Sequence, residues 1–260
     1  MLVAAIRDLV WGTPAFEPRT SWHPLAAIAA ALVIIVAGVA VATLVTSASG
    51  LGRIGAPAGG GPDAAAHLND GYAWAAAAWL LTFQWVTVGL VLATAALRTR
   101  GSAQALFLDK APSLPLLLAA IVLMVAILLP YNAIVLAFAR EQVVSDLKSF
   151  LGPLRSSAAA PFALAIVAGA PLSEELLFRG FLLAPLSKMR LKFFGGALVT
   201  TVAWTALHAG YSSLGLIEVF IAGLFFSWLL WRTGNLWVPI ICHAVYNGLM
   251  LALIYLVPLG

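Results

Sequence analysis

Long apolar runs divide the chain, and short segments between them hold most of the charged residues. A helix needs about 20 mainly apolar residues to cross a bilayer. No run alternates like a barrel strand, and lipid accepts only helices or closed barrels. We therefore predict an all-α, polytopic transmembrane helix bundle of about seven spans, with six to eight compatible with the pattern. The predicted spans are residues 25–47, 73–97, 114–138, 160–183, 195–209, 214–231 and 236–257.

The composition excludes an ordinary soluble domain. Hydrophobic residues make up 63% of the chain and charged residues 9%, whereas soluble domains are about 25% charged. The net charge of +4 comes from basic residues spread over short loops, which is typical of topogenic charge and not of a nucleic-acid-binding face. We expect membrane lipid, and no nucleic acid, as the surroundings of the protein.

The loop charges predict an orientation. With the N-terminus in the cytoplasm, nine basic loop residues lie inside and four outside, as the positive-inside rule favours. The chain is then a multi-pass protein of the cell (plasma or inner) membrane with a cytoplasmic N-terminus. One miscounted span would reverse this predicted orientation. The inner residues are Arg7, Arg19, Arg98, Arg100, Lys110, Lys188, Arg190, Lys192 and Arg232, and the outer ones are Arg53, Arg140, Lys148 and Arg155.

Three segments outside the spans are also interpretable. The first 23 residues carry charges and prolines and no short apolar core, so we do not expect a secretory signal there. Residues 47–71 are rich in Gly, Ala and Pro, which predicts a flexible exterior loop. Residues 140–155 interleave apolar and charged side chains, which predicts a short interfacial helix.

Glu174, Glu175 and Arg179 place three ionisable side chains inside one apolar run. Such residues in a span mark functional sites by default. Residues four apart share a helix face, so Glu175 and Arg179 are expected to form an ion pair. Glu174 is turned about 100° away and is free to point at another helix. The alternative is a purely structural charge cluster.

Two histidines follow in later apolar segments. His208 shares a predicted helix face with Trp204, and His243 shares one with Asn247. His243 and Asn247 can both donate hydrogen bonds to one point, as an oxyanion site requires. The alternatives are a satisfied core histidine for His208 and an interhelical polar clamp for His243 and Asn247.

The depths of these residues allow them to converge. At about 1.5 Å per residue, Glu174, His243 and His208 lie roughly 14, 10 and 20 Å from the inner ends of their helices. We therefore expect catalytic residues to converge between the last four spans. Such polar groups need water to react, so we also predict a hydrated cavity.

Taken in order, three motifs resemble the CPBP family of CAAX-prenyl-protease-like and bacteriocin-processing (Abi) intramembrane endopeptidases. The motifs are Glu174-Glu175-x-x-x-Arg179, Trp204-x-x-x-His208 and His243-x-x-x-Asn247, the last preceded by Trp237 and Pro239. The resemblance covers roughly residues 160–255. Trp204 departs from the family pattern, which usually has Phe there.

The resemblance implies a glutamate-dependent intramembrane protease. Glu174 and His208 would activate the attacking water, and His243 and Asn247 would form the oxyanion site. Glu175, Arg179 and Trp204 would support that geometry. No cofactor and no metal are implied, and hydrolysis would proceed without a covalent acyl-enzyme.

The resemblance also suggests a division of the chain. Residues 1–158 would form an N-terminal cytoplasmic segment and three spans, and residues 159–258 a CPBP-like catalytic helix bundle. The substrate would be a membrane-associated peptide or membrane protein, with prenylated peptides as one family substrate class. The sequence does not indicate an oligomeric state.

Two other functions stay open at this point. Glu174, His208 and His243 are a plausible zinc ligand set for a membrane hydrolase, although the chain has no His-Glu-x-x-His pair. A non-catalytic membrane scaffold or immunity-type protein with the same fold is the other alternative.

Overall fold

A computed structural model describes residues 1–51, 62–190 and 192–256, and it is all-helical over those ranges. The predicted all-α class is confirmed. The helices are α1 (Leu2–Trp11), α2 (Pro24–Ala48), α3 (Pro62–Arg98), α4 (Ser102–Ala105), α5 (Leu114–Phe138), α6 (Arg140–Leu154), α7 (Ala159–Leu186), α8 (Lys192–Ala206), α9 (Ser213–Thr233) and α10 (Trp237–Leu256).

Six helices in the described ranges are long and apolar enough to cross a membrane: α2, α3, α5, α7, α9 and α10. The chain is therefore an integral membrane protein, and the count lies within the predicted range. The segment predicted as a span at 195–209 corresponds to α8, which has the same length of 15 residues but begins and ends three residues earlier. At only about 22 Å, α8 is not one of the six helices. Its last turn tightens where Leu207 N–H and His208 N–H bond the carbonyls of Trp204 and Thr205. His208 consequently lies in a turn and not in mid-helix.

The N-terminal segment packs at one end of the bundle, which we call the basic end. Arg19 lies 3.5 Å from Asp109, which precedes α5. Lys188, which follows α7, donates to the carbonyl of Thr20. Arg232 at the end of α9 donates to the carbonyl of Leu9 at 2.5 Å. Basic residues predicted on the inner side thus gather at one end, and the side of the membrane that this end faces stays a prediction.

The opposite end is held by two acidic side chains. Asp70 on α3 accepts hydrogen bonds from Ser157 just before α7. Asp146 on α6 accepts from the backbone N–H and hydroxyl of Ser212 just before α9, at 2.7 and 2.6 Å. Successive helices therefore run alternately between the two ends, and α8 follows this alternation despite its length.

Two predicted connections have different outcomes. Residues 140–155 form a helix as expected, since α6 covers Arg140–Leu154. The predicted loop at 47–71 falls mainly on residues 52–61, which lie outside the described part of the chain. The prediction was wrong from residue 62 onward, because α3 begins at Pro62 and continues without a break to Arg98.

The most buried span is α7, which carries the paired glutamates. Half of its apolar window is buried, compared with 22–44% in the other five spans. It is also the irregular helix, with π-helical stretches at Ala165–Gly169 and Glu175–Leu183. Pro171 and Pro185 lie inside it and supply no N–H to the helix ladder. Such π-helical turns frequently occur at functional sites.

Candidate active site

Glu175 is completely buried, and one of its two carboxylate oxygens holds both of its polar contacts among the described residues. Its Oε1 lies 3.0 Å from Arg179 Nη1 on the same helix and 3.0 Å from His243 Nδ1 on α10. Neither Glu175 nor Arg179 has any exposed side-chain surface. A buried charge has to be paired or hydrogen-bonded to persist, and here the guanidinium neutralises the carboxylate. Glu175 is therefore occupied in holding two helices together.

Arg179 extends the same anchor to α9. Its Nη2 donates to the carbonyl of Gly223 at 3.1 Å, and its Nε lies 3.5 Å from Ser227 Oγ. A Cβ at Gly223 would lie 3.0 Å from Nη2 and 2.8 Å from the Trp204 ring. Gly223 is thus the small residue that lets Arg179 reach the backbone of α9. Sequence reasoning missed Gly223 and Ser227, which read as generic small residues in an apolar run.

Glu174 points away from this anchor, as the helix-face argument predicted. Its Oε2 accepts a hydrogen bond of 2.6 Å from the indole Nε1–H of Trp204 on α8. Its side chain is half-buried, in contrast to Glu175. The two neighbouring carboxylates therefore differ: Glu175 forms an ion pair, whereas Glu174 has no ion pair and one neutral hydrogen-bond donor among residues 1–51, 62–190 and 192–256.

His208 lies one turn after Trp204. Its Nδ1 is 3.0 Å from the Trp204 carbonyl oxygen. A carbonyl oxygen only accepts, so Nδ1 carries a proton, and in the neutral ring Nε2 keeps its lone pair. The ring of Trp204 meets the His208 ring edge-on with centroids 5.1 Å apart. His208 is half-buried, so Nε2 is the nitrogen available to a water molecule.

Tyr211 borders the same turn. Its ring centroid lies 5.6 Å from that of His208. Burial raises the pKa of the Tyr211 phenol, and the negative charge of Glu174 acts in the same direction. The hydroxyl therefore stays protonated at neutral pH and is a hydrogen-bond donor beside the site.

His243 and Asn247 both use a polar atom to hold α7. His243 Nδ1 bonds Glu175, and its ring stacks on Phe226 with centroids 4.9 Å apart. Asn247 Nδ2 donates to the carbonyl of Ile166 on α7 at 2.9 Å. Each side chain keeps one further polar group, the Nε2 atom of His243 and the second amide hydrogen of Asn247.

Trp204 joins these side chains into one site. It bonds Glu174, lies next to His208, and packs edge-on to His243 with centroids 5.6 Å apart. Glu174 and His208 do not hydrogen-bond each other directly in the part of the chain that the structure describes. Their shared neighbour is the indole, and the predicted hydrated cavity between them stays a prediction.

The zinc alternative has no geometric support. Across residues 1–51, 62–190 and 192–256, no three His, Cys, Asp or Glu side chains group closely enough to hold a metal ion. Glu174 and His243 point to different partners, Trp204 and Glu175. The candidate ligand set is thus divided between two sub-sites.

A second polar cluster lies towards the end opposite the basic end, and sequence reasoning missed it. Asn132 Nδ2 on α5 lies 2.6 Å from Glu218 Oε1 on α9 and 2.9 Å from the Tyr246 hydroxyl on α10. The neighbouring Tyr131 donates to the carbonyl of Leu214 at 2.8 Å. The cluster connects three helices, and α10 also carries His243. Asn132 on its own gave no signal, because Glu218 and Tyr246 are more than 80 residues away along the chain.

The comparisons with known proteins concern the part of the chain that carries this site. Residues 156–249 match the family model described as type II CAAX prenyl endopeptidase Rce1-like, which confirms the resemblance over that segment. An Escherichia coli relative, described as an uncharacterized 24.3 kDa protein, is 40% identical over 76 residues, or 28% of this chain. The match spans 35% of that relative's length. No solved structure gives a significant match.

Proposed function

We propose that this chain, as a member of the CPBP family, is a glutamate-dependent intramembrane endopeptidase. The observation that carries the proposal is that two adjacent carboxylates differ in their burial and in their hydrogen-bond partners. Glu175 is bonded to Arg179 and His243 inside the core, whereas Glu174 is half-buried and, within the described part of the chain, accepts only an indole N–H. A carboxylate without a cationic partner in an apolar site is suited to act as a general base.

The proposed reaction begins with a water molecule between Glu174 and His208. Glu174 takes a proton from the water while the lone pair of His208 Nε2 holds the second hydrogen. The water oxygen forms a bond to the carbonyl carbon of the peptide. Collapse of the tetrahedral intermediate then breaks the C–N bond, and the proton on Glu174 passes to the leaving amine. The carboxylate is regenerated without a covalent acyl-enzyme.

The oxyanion of that intermediate would be stabilised by His243 Nε2–H and by the second amide hydrogen of Asn247. His243 Nδ1 already donates to Glu175, so a ring that also donates from Nε2 carries both protons. The developing oxyanion supplies the compensating negative charge, since the charge of Glu175 is already matched by Arg179. Donors that are held in place before the reaction stabilise developing charge most effectively. Both side chains lie on α10 and are fixed by hydrogen bonds to α7.

The substrate class follows from the location of the site. Trp204, Glu174 and His243 lie on helices embedded in the bundle, so the scissile bond has to be brought to the membrane. We propose a peptide or protein anchored in lipid, with a prenyl group as one possible anchor. The N-terminus and the basic end would face the cytoplasm, as the loop charges predict.

Cleavage of membrane-anchored peptides by the purified protein tests this proposal. Prenylated, acylated and transmembrane peptides would be compared in detergent and in liposomes. The variants are Glu174→Gln and His208→Ala, and Glu17→Gln is the matched control because Glu17 is exposed outside the bundle. We expect kcat to fall by about 10²- to 10⁴-fold in the two site variants, as for loss of a general base, and to be unchanged in the control.

Each reaction would be repeated after incubation with a strong chelator. Cleavage that the chelator abolishes and zinc restores would replace the glutamate mechanism with a metal-dependent one. Cleavage that Glu174→Gln leaves intact would refute the assignment of the base. If no anchored peptide is cleaved by correctly folded wild-type protein, the scaffold alternative is favoured.

A further inference from the structure

Two amide side chains from different spans donate to consecutive backbone carbonyls of α7. Gln84 Nε2 on α3 donates to the carbonyl of Ala165 at 3.1 Å. Asn247 Nδ2 on α10 donates to the carbonyl of Ile166 at 2.9 Å. Both acceptors lie in the π-helical stretch Ala165–Gly169. The first π-helical stretch of α7 is thus held from two sides.

The backbone of α7 explains why external donors are needed. Ala170 N–H bonds the carbonyl of Ala165, five residues earlier. The next residue, Pro171, has no N–H, so the carbonyl of Ile166 lacks the donor that the same register would provide. A buried carbonyl without a donor is destabilising. Asn247 supplies that donor, and Gln84 adds a second donor to the neighbouring carbonyl.

Gln84 is built closely into this stretch. Only 3% of its surface is exposed, and its Oε1 has no hydrogen-bond partner among the described residues. A Cβ at Gly169 would overlap Oε1, so Gly169 is the residue that admits the side chain. The carbonyl of Gly169 accepts a hydrogen bond of 2.9 Å from Ser173 Oγ, and Glu174 follows directly. Gln84 therefore contacts the turn on which Glu174 is built.

The other end of α7 repeats the arrangement. Trp22 Nε1 donates to the carbonyl of Phe181 at 3.3 Å, and the two rings stack with centroids 5.2 Å apart. Pro185 follows four residues after Phe181 and supplies no N–H. Trp22 and Gln84 both precede residue 156, where the family match begins.

We propose that Gln84 is a positioning residue that sets the helical register of α7 and thereby the direction of Glu174. The proposal rests on the proposed function of Glu174 as the base, but its geometric content stands independently of activity. It assigns a part of the active-site framework to the N-terminal spans. Without the Gln84 donor, the stretch Ala165–Gly169 loses one of its two external supports, and Glu174 shifts relative to Trp204.

The experiment uses two variants, one at each residue of the contact between Gln84 and Gly169. Gln84→Met keeps an unbranched side chain of similar size and removes the donor. Gly169→Ala leaves Gln84 in place and displaces its amide, although alanine favours a helix more than glycine does. Gln104→Met is the control, because Gln104 is exposed on α4. Thermal unfolding would verify that each protein is folded.

Two readouts are compared. The first is the kinetics of peptide cleavage, where kcat is expected to fall by about 10- to 100-fold in both variants with KM changed less than about twofold, as for a small misplacement of a reacting group. The second is the ¹⁹F NMR signal of 5-fluorotryptophan at position 204, assigned with Trp204→Phe. That signal is expected to shift in Gln84→Met and Gly169→Ala and to stay in place in Gln104→Met.

The two readouts separate the possible failures. If wild-type protein cleaves no peptide, the proposed function fails, and the Trp204 signal alone decides the positioning role. If both variants keep wild-type kcat and an unshifted Trp204 signal, Gln84 does not position Glu174. A fall in kcat/KM together with a lower melting temperature, but with an unshifted Trp204 signal, would show general destabilisation. That result would also overturn the proposal.

Discussion

The indole N–H of Trp204 donates to Glu174 Oε2 at 2.6 Å, across 30 residues of sequence. The same indole lies beneath the guanidinium of Arg179, whose Cζ is 4.5 Å from the ring centroid. Such contacts are attractive because the ring face is electron-rich. His208 and His243 meet the ring edge-on. One side chain on α8 therefore determines how the polar groups of three other structural segments face one another.

Two replacements of Trp204 distinguish the contribution of its hydrogen bond from that of its aromatic ring. Trp204→Phe keeps a ring between Arg179 and the histidines, and the resemblance makes Phe the usual residue there. We expect kcat/KM to change by less than about tenfold, in line with one lost hydrogen bond. Trp204→Ala also removes the aromatic contacts and leaves a cavity, and we expect a loss of about 100-fold or more, together with a lower melting temperature. Equal kinetics for the two variants would contradict this account.

The buried pair of Glu175 and Arg179 should be essential to stability. Arg179→Met leaves the Glu175 carboxylate buried without its cation, which typically destabilises by about 3–5 kcal/mol. Adding Glu175→Gln removes the uncompensated charge, so the double variant should recover part of the loss. The free energy of unfolding would be measured by denaturant titration in detergent.

The exposed pair of Arg7 and Asp8 is the matched control for that measurement. Both side chains are more than 60% exposed, and exposed pairs contribute about 0–1 kcal/mol. Arg7→Met should therefore change stability little. A double variant at Glu175 and Arg179 that is less stable than Arg179→Met would show that the carboxylate stabilises the fold without its partner.

Asp146 should control the turn that carries His208. Its carboxylate accepts two hydrogen bonds from Ser212, the residue that caps α9. Asp146→Ala removes both, at about 1 kcal/mol for each hydrogen bond, and we expect a lower kcat. Asp146→Asn keeps an acceptor for the Ser212 N–H and should retain most activity. Cleavage assays of the two variants test whether Asp146 acts through these hydrogen bonds, with exposed Lys148→Ala as control. Loss of activity in Asp146→Asn would point to a role for the charge.

Asn247 should contribute to stability as well as to catalysis. Its amide donates to the carbonyl of Ile166, which has no donor from Pro171. Asn247→Ala leaves that half-buried carbonyl without its donor, at a cost of about 1 kcal/mol. Asn247→Asp places an acceptor against an acceptor and should be at least as unstable. The measurements are the melting temperature and kcat; lost activity with wild-type stability would assign Asn247 to the oxyanion alone.

Much of the architecture was predictable because lipid imposes a length and a composition on each span. Long apolar runs such as 114–138 predicted α5 with the bounds that the structure shows. The span at 195–209 was predicted with the right length but three residues too late, since composition alone does not show that the helix ends at Ala206. The start of α3 was also misjudged, because small residues such as Gly and Ala were taken as a loop.

Local spacing within one helix determined the pairing of Glu175 with Arg179 and the different direction of Glu174, because residues four apart share a face whatever surrounds them. Which helices meet was decided by the tertiary structure. The bonds from Trp204 to Glu174, from His243 to Glu175 and from Gln84 to Ala165 join residues 30, 68 and 81 positions apart. Hydropathy carries no information on such distances, since every apolar face is equally acceptable to lipid. The packing of prolines, glycines and polar side chains around α7 therefore determines which carboxylate is neutralised and which is left to react.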